Sequence, residues 1–138
     1  MEWTVTFDQS RGMAVVRTLG EFNVTDHELM VADIVSRKEW RPGHPILFDH
    51  RQLDFADAGY PDMLGARENH ALHEARIGKA RSAILMRSLA DYGLGRQFQN
   101  LAEGYLSAEL RVFIDESSAT AWLCREGDAA EADGAPPA

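Results

Sequence analysis

The densest run of ionisable residues in this chain is Asp49, His50, Arg51, Asp54 and Asp57. Two carboxylates so close can divide acid and base work if burial pushes their pKa values apart. They also have a purely structural use. Asp49 and Asp54 can hydrogen-bond the surrounding loop, and Asp57 can cap the following helix by accepting from its first free amides. A second cluster, Ser88, Tyr92, Gly93, Gly95 and Arg96, opens a later helix. A helix N-terminus with glycines and an arginine can hold an anion. Neither a Gly-x-Gly-x-x-Gly fingerprint nor a P-loop lysine is present, and such glycines also let a helix pack closely on a sheet. If a small acid or phosphate binds, the Asp49–Asp57 stretch and this turn should flank it.

His70, His73 and Glu74 fall at i, i+3 and i+4 of a helical segment, the convergence a metal site requires. The second histidine of His-Glu-x-x-His is missing, so no metal is expected, and the reading adopted is a solvated helix face. Cys124 is the only cysteine, which excludes an internal disulfide and a thiolate zinc site. Beside Trp122 and Leu123, it is expected to face the core. No nucleophile elbow and no dinucleotide fingerprint occurs, so neither a catalytic residue nor a cofactor is expected.

The elements that must position these residues follow from periodicity. Trp3, Val5 and Phe7 alternate with polar residues, and Met13 to Leu19 is a second β run after a short turn, which predicts an antiparallel hairpin. Thr25 to Glu28 fits a capping box ahead of the stripe Met30, Val31, Ile34 and Val35. Pro45 to Asp49 reads as a short buried strand. A helix is predicted from Asp57–Pro61 to about Gly78, then a strand over Arg81 to Met86. Ser88 to Asp91 is a second capping signal, and Leu94, Phe98, Leu101, Ala102 and Tyr105 carry the helical stripe behind it. Leu110 to Ile114 is the last strand, and Ser117 or Ser118 is expected to cap a closing helix. The fold class is therefore α/β, with an N-terminal hairpin and then helices alternating with mostly parallel strands, in the order ββαβαβαβα.

With 138 residues, 45% of them hydrophobic, the chain suits one domain, expected over 1–125. Residues 126–138 hold four acids and no large apolar side chain, which predicts a disordered acidic tail. The longest apolar runs are strand-length, so no membrane insertion is expected. The N-terminus lacks the pattern of a signal peptide, which points to the cytoplasm. A net charge of −8 argues against nucleic acid as a partner, because phosphate neutralisation needs a basic face.

This element order, and the stretch Ile46 to Gly59 in particular, resembles the STAS family, the domain of bacterial anti-sigma-factor antagonists. The whole chain over about residues 2–124 is similar to the SpoIIAA-like group of small stand-alone bacterial proteins. The unit 111–123 fits the group's last strand and helix. The resemblance implies that the third strand ends at Asp49 and that Asp57, Ala58 and Gly59 stand where regulatory members carry Asp-Ser-Ser-Gly. Ala58 therefore replaces the serine pair that partner kinases modify, and the phosphorylation switch is missing. Tyr60 supplies the nearest hydroxyl.

Three functions follow in order. The first is a non-catalytic regulatory or protein-interaction module, acting on a protein partner or as a homodimer through the second helix and the loop before it. The second is a domain that binds a small anionic or lipidic ligand near Asp49, His50, Ser88 and Arg96. An enzyme built on Asp49 and Asp54 or on the histidines comes last.

Overall fold

The structure, a computed structural model, describes residues 1–125. The expected acidic tail lies outside the described residues. Strands β1 (Glu2–Asp8) and β2 (Met13–Glu21) form the antiparallel hairpin, with Val5 opposite Val16. Helix α1 (Val24–Ser36) leads to β3 (Ile46–Asp54), which lies parallel to β2. Helices α2 (Tyr60–Leu72) and α3 (Glu74–Ile77) connect to β4 (Arg81–Leu85), and α4 (Leu89–Ala102) connects to β5 (Glu109–Phe113). The closing helix is α5 (Glu116–Leu123). The strands lie side by side in chain order, and every neighbour after the hairpin is parallel. The α/β class and the mostly parallel sheet agree with the expectation from sequence.

Two cores follow from the period of two along each strand. Val16, Ile46, Phe48, Ile84 and Val112 meet the apolar stripes of α1, α2 and α4 on one face. Met13, Val15, Leu47, Ala83, Leu85 and Phe113 meet Ala119, Trp122 and Leu123 of α5 on the other. Gly95 is required by close approach: a Cβ there would come within 2.7 Å of Val112 Cγ2. That supports the packing use of the glycine in this turn.

Several boundaries differ from the expectation. Asn23, not Thr25, caps α1, its Oδ1 accepting from the Asp26 amide at 2.9 Å. The helix therefore starts two residues earlier than expected, and His27 lies on its buried stripe with Met30, Val31 and Ile34. Strand β3 continues to Asp54 rather than stopping at Asp49, because Gln52, Leu53 and Asp54 pair with Leu19, Gly20 and Glu21 of an equally long β2. The backbone pairing holds these polar residues in a strand although their side chains read as a loop. Helix α2 begins at Tyr60 with Gly59 as its cap, and the Asp62 carboxylate accepts from the Gly59 amide at 2.8 Å. The predicted helix also breaks at His73, before the short α3. Asp115 caps α5 in place of the serines, its carboxylate accepting from the Ser118 amide at 2.9 Å. Cys124 is exposed, not in the core. A helix turns about 100° per residue, so with Trp122 and Leu123 facing the sheet the next position swings outward.

Candidate functional site

Asp49 and His50 are adjacent on β3 and therefore point to opposite faces. Asp49 lies on the α5 face. Its carboxylate accepts from Arg51 Nε and Nη2, each at 2.9 Å, and sits 3.6 Å from Arg17 Nε. Arg51 also reaches Glu116 of α5 at 3.0 Å. Burial would raise the Asp49 pKa, but the hydrogen bonds and charge of Arg51, with the charge of Arg17, outweigh it and hold the carboxyl below its usual value. These groups partner one another, so they account for themselves as structure.

His50 faces α1, α2 and α4, where it joins His27 of α1 and His70 of α2 around a cavity of about 30 Å³. That volume suits one or two water molecules. The walls are otherwise apolar, dominated by Phe22, Phe48, Phe55 and Phe98, with Met63 and Met86. The His27 and His70 rings lie 5.5 Å apart. Phe48 sits 5.8 Å from His50 and 6.0 Å from His70, and the stacked pair Phe22–Phe55 lies 5.4 Å apart beside His27 and His50.

All three imidazoles are nearly inaccessible to bulk solvent, at 4%, 7% and 3% exposure for His27, His50 and His70. Burial pushes His50 and His70 down to about 4; nearby Asp49 opposes this at His50, while His73 and His50 add to it at His70. Burial also holds His27 well below the usual histidine range, helped by His70 and His50. The three are therefore neutral at pH 7. A neutral imidazole contributes one donor and one acceptor. His27 Nδ1 lies 3.0 Å from Asn69 Nδ2, and His50 Nδ1 lies 2.8 Å from the Thr18 hydroxyl. His70 Nδ1 is buried with no hydrogen-bond partner. The lining holds no hydroxyl, thiol or carboxylate, so its polar groups are the three imidazoles. Among the described residues, no cluster of His, Cys, Asp and Glu is placed to hold a metal ion.

The other residues singled out from sequence are scattered. Asp54 accepts from the Ala56 amide at 2.8 Å, and Asp57 is exposed and caps no helix. Tyr60 is the half-exposed first residue of α2. Ser88 caps α4, its hydroxyl oxygen accepting from the Asp91 amide at 3.2 Å. Arg96 Nη1 approaches the Tyr92 hydroxyl at 3.5 Å, and none of Ser88, Tyr92 and Arg96 lines the cavity. His73 pairs with Glu28 at 3.1 Å and Glu74 accepts from Ser107, so His70, His73 and Glu74 diverge. His70 is buried rather than on a solvated face. Its signal was the spacing Met63, Ala66, His70, which places it on the buried stripe of α2. His27 carried the same signal ahead of Met30, Val31 and Ile34.

No protein-family model matches this chain. No curated protein matches it significantly. No helix of the described residues is long and apolar enough to cross a membrane. Among solved structures, it is similar to an uncharacterised protein of the DUF3478 family with a SpoIIAA-like fold, from Shewanella loihica PV-4. The match covers 89% of this chain and 93% of that one, with a TM-score of 0.58 and 20% sequence identity. The hairpin, the parallel strands and the crossover helices are thus those expected from the sequence resemblance, and the chain has a SpoIIAA-like fold.

Proposed function

We propose that this protein is a non-catalytic regulatory module that binds a small, uncharged, largely apolar molecule between His27, His50 and His70 and presents α2 with its preceding loop to a protein partner. The observation that carries the reading is the unpartnered, buried Nδ1 of His70. A buried polar group without a partner costs about 1–3 kcal/mol, and apolar side chains of similar size would fill the same space at no such cost.

Neutral imidazoles and phenylalanine rings supply no positive charge to an anionic headgroup, so of the two ligand classes expected from sequence the apolar one fits better. Met63, Ala66 and His70 of α2 line the cavity, while Tyr60 of the same helix is half exposed. A ligand that favours one position of α2 would change the surface that a partner reads, to the extent that its affinity differs between the two positions. Ligand occupancy then replaces phosphorylation, for which Ala58 has no hydroxyl.

The test is a thermal-shift screen of small apolar molecules against the protein and His70→Leu. The reading requires hits whose stabilisation is lost or strongly reduced in the variant. A broad library without hits, or hits that bind both proteins alike, would reject it.

A further inference from the structure

Resting on that reading of the cavity, we infer that the group it recognises is the hydroxyl of a small uncharged phenol or alcohol, with His27 donating to the oxygen and His50 accepting its hydrogen. The tautomers follow from partners outside the cavity. Asn69 Nδ2 donates to the Val24 carbonyl at 2.9 Å, which fixes the orientation of the amide. Its other hydrogen is directed to His27 Nδ1 at 3.0 Å, so that nitrogen accepts and the ring hydrogen of His27 is on Nε2. On the sheet side, the Thr18 hydroxyl donates to the Asp49 carbonyl at 3.3 Å and accepts from His50 Nδ1 at 2.8 Å. The lone pair of His50 is then on Nε2. No hydrogen bond among the described residues uses Nε2 of His27, His50 or His70, and His70 Nδ1 is unused as well.

The cavity thus has one fixed donor, one fixed acceptor and a third imidazole able to take either role. A hydroxyl matches this set, since it donates once and accepts at its lone pairs. A carboxylate does not, because it only accepts and no cationic side chain lines the cavity. A metal ion does not, because the lone pair of His27 is engaged by Asn69. Aromatic walls suit a flat apolar body, and since a benzene-sized ring needs a cavity of about 150 Å³, its entry requires the unbranched side chains of Met63 and Met86 to move and enlarge a space of about 30 Å³.

The experiment titrates phenol, toluene and benzoate into the ¹⁵N-histidine-labelled protein at pH 7.5, followed by NMR and calorimetry. Phenol should saturate with shifts at the His27 and His50 nitrogens, toluene should bind at least about tenfold more weakly, and benzoate should not bind. Toluene binding as tightly as phenol, tighter benzoate binding, or no phenol binding overturns the inference. Toluene equal to phenol leaves the binding-module reading standing, whereas an empty library screen removes both. Thr18→Val frees His50 Nδ1 and should change its ¹⁵N tautomer signature. Phenol affinity should then fall about tenfold while toluene is unaffected. Unchanged phenol affinity in a folded variant with an altered tautomer also overturns it. If that variant fails to fold, the ratio of phenol to toluene on the unaltered protein decides.

Discussion

Asp49 and His50 are neighbours in sequence and sit on opposite sides of one sheet, and the two surroundings solve the burial of polar groups differently. On the α5 face, Asp49, Arg17, Arg51 and Glu116 neutralise and hydrogen-bond one another at the rim of the sheet. On the other face, three histidines are buried among phenylalanines without a counter-charge in the lining, and Nδ1 of His70 is fully buried with no partner. The first is complete as it stands. The second is incomplete without an occupant, and that incompleteness, more than the number of ionisable residues, marks a site.

Acid should separate the two faces most strongly. The folded pKa values of His50 and His70 are depressed from 6.5 to about 4, so the unfolded chain takes up these protons first as pH falls. Their burial costs nothing in protonation above pH 6.5, and stability is lost progressively from there down to about pH 4. At pH 5 each contributes a loss of about 2 kcal/mol, or about 4 kcal/mol for the two. Asp49 has the opposite sign of proton linkage: its depressed pKa stabilises the fold above its ordinary value of 3.8, and that contribution fades only as pH falls further, through the folded pKa. Urea unfolding at pH 7.5, 5 and 3.5 should therefore show a first loss belonging to the histidines. A midpoint unchanged between pH 7.5 and 5 would refute the neutral burial of these rings.

The next largest effect is expected from Asp49→Ala, which leaves Arg17 and Arg51 facing each other and removes three hydrogen bonds made by Arg51 through its side chain and amide. Both arginines retain access to solvent, at 58% and 40% side-chain exposure, so the cost should be about 1–2 kcal/mol and shrink in salt. The same variant should leave phenol binding in the cavity unchanged. Loss of that binding would mean that the two faces are coupled through β3.

The fold was readable in the sequence to a greater extent than the site, for a physical reason. Alternation along Trp3, Val5 and Phe7 and the stripe Met30, Val31, Ile34 and Val35 report which face of each element is buried, and burial decides the architecture. Strand β3 was underestimated because its second half is polar and is held by backbone pairing with β2, which side-chain patterning does not record. Asp49, His50 and Arg51 form one cluster along the sequence, but strand geometry puts His50 on the face opposite Asp49 and Arg51. Only His50 of these three lines the cavity. His27 and His70 come from distant helices, and each sat on an apolar stripe that could have flagged it. Their convergence depends on how α1 and α2 pack together, which local periodicity does not specify.

His70→Leu addresses the incompleteness directly. Leucine is close to histidine in size and has no polar atom to leave unpaired, so the variant should be more stable than the parent by about 1 kcal/mol at pH 7. The gain should widen at pH 5, where the parent is penalised by proton uptake in its unfolded state. Urea midpoints at both pH values measure this. A loss of stability would mean that the His70 ring already makes a compensating interaction, and the cavity would lose the feature that distinguishes it from the Asp49 face.

Glu116→Ala should have the smallest effect. Glu116 is half exposed, its partner Arg51 retains the Asp49 carboxylate, and an ion pair of this kind contributes about 0–1 kcal/mol. Glu116 is also in the first turn of α5, where a negative charge interacts favourably with the helix dipole, so the cost should be near the middle of that range rather than zero. Raising the salt concentration should shrink the difference between parent and variant, since both contributions are exposed and screened. A cost above about 2 kcal/mol would instead show that the α5 face depends on Glu116 as a member of a cooperative network. The contrast between a redundant ionic face and an unsatisfied histidine face would then have to be redrawn, with both faces dependent on single polar groups.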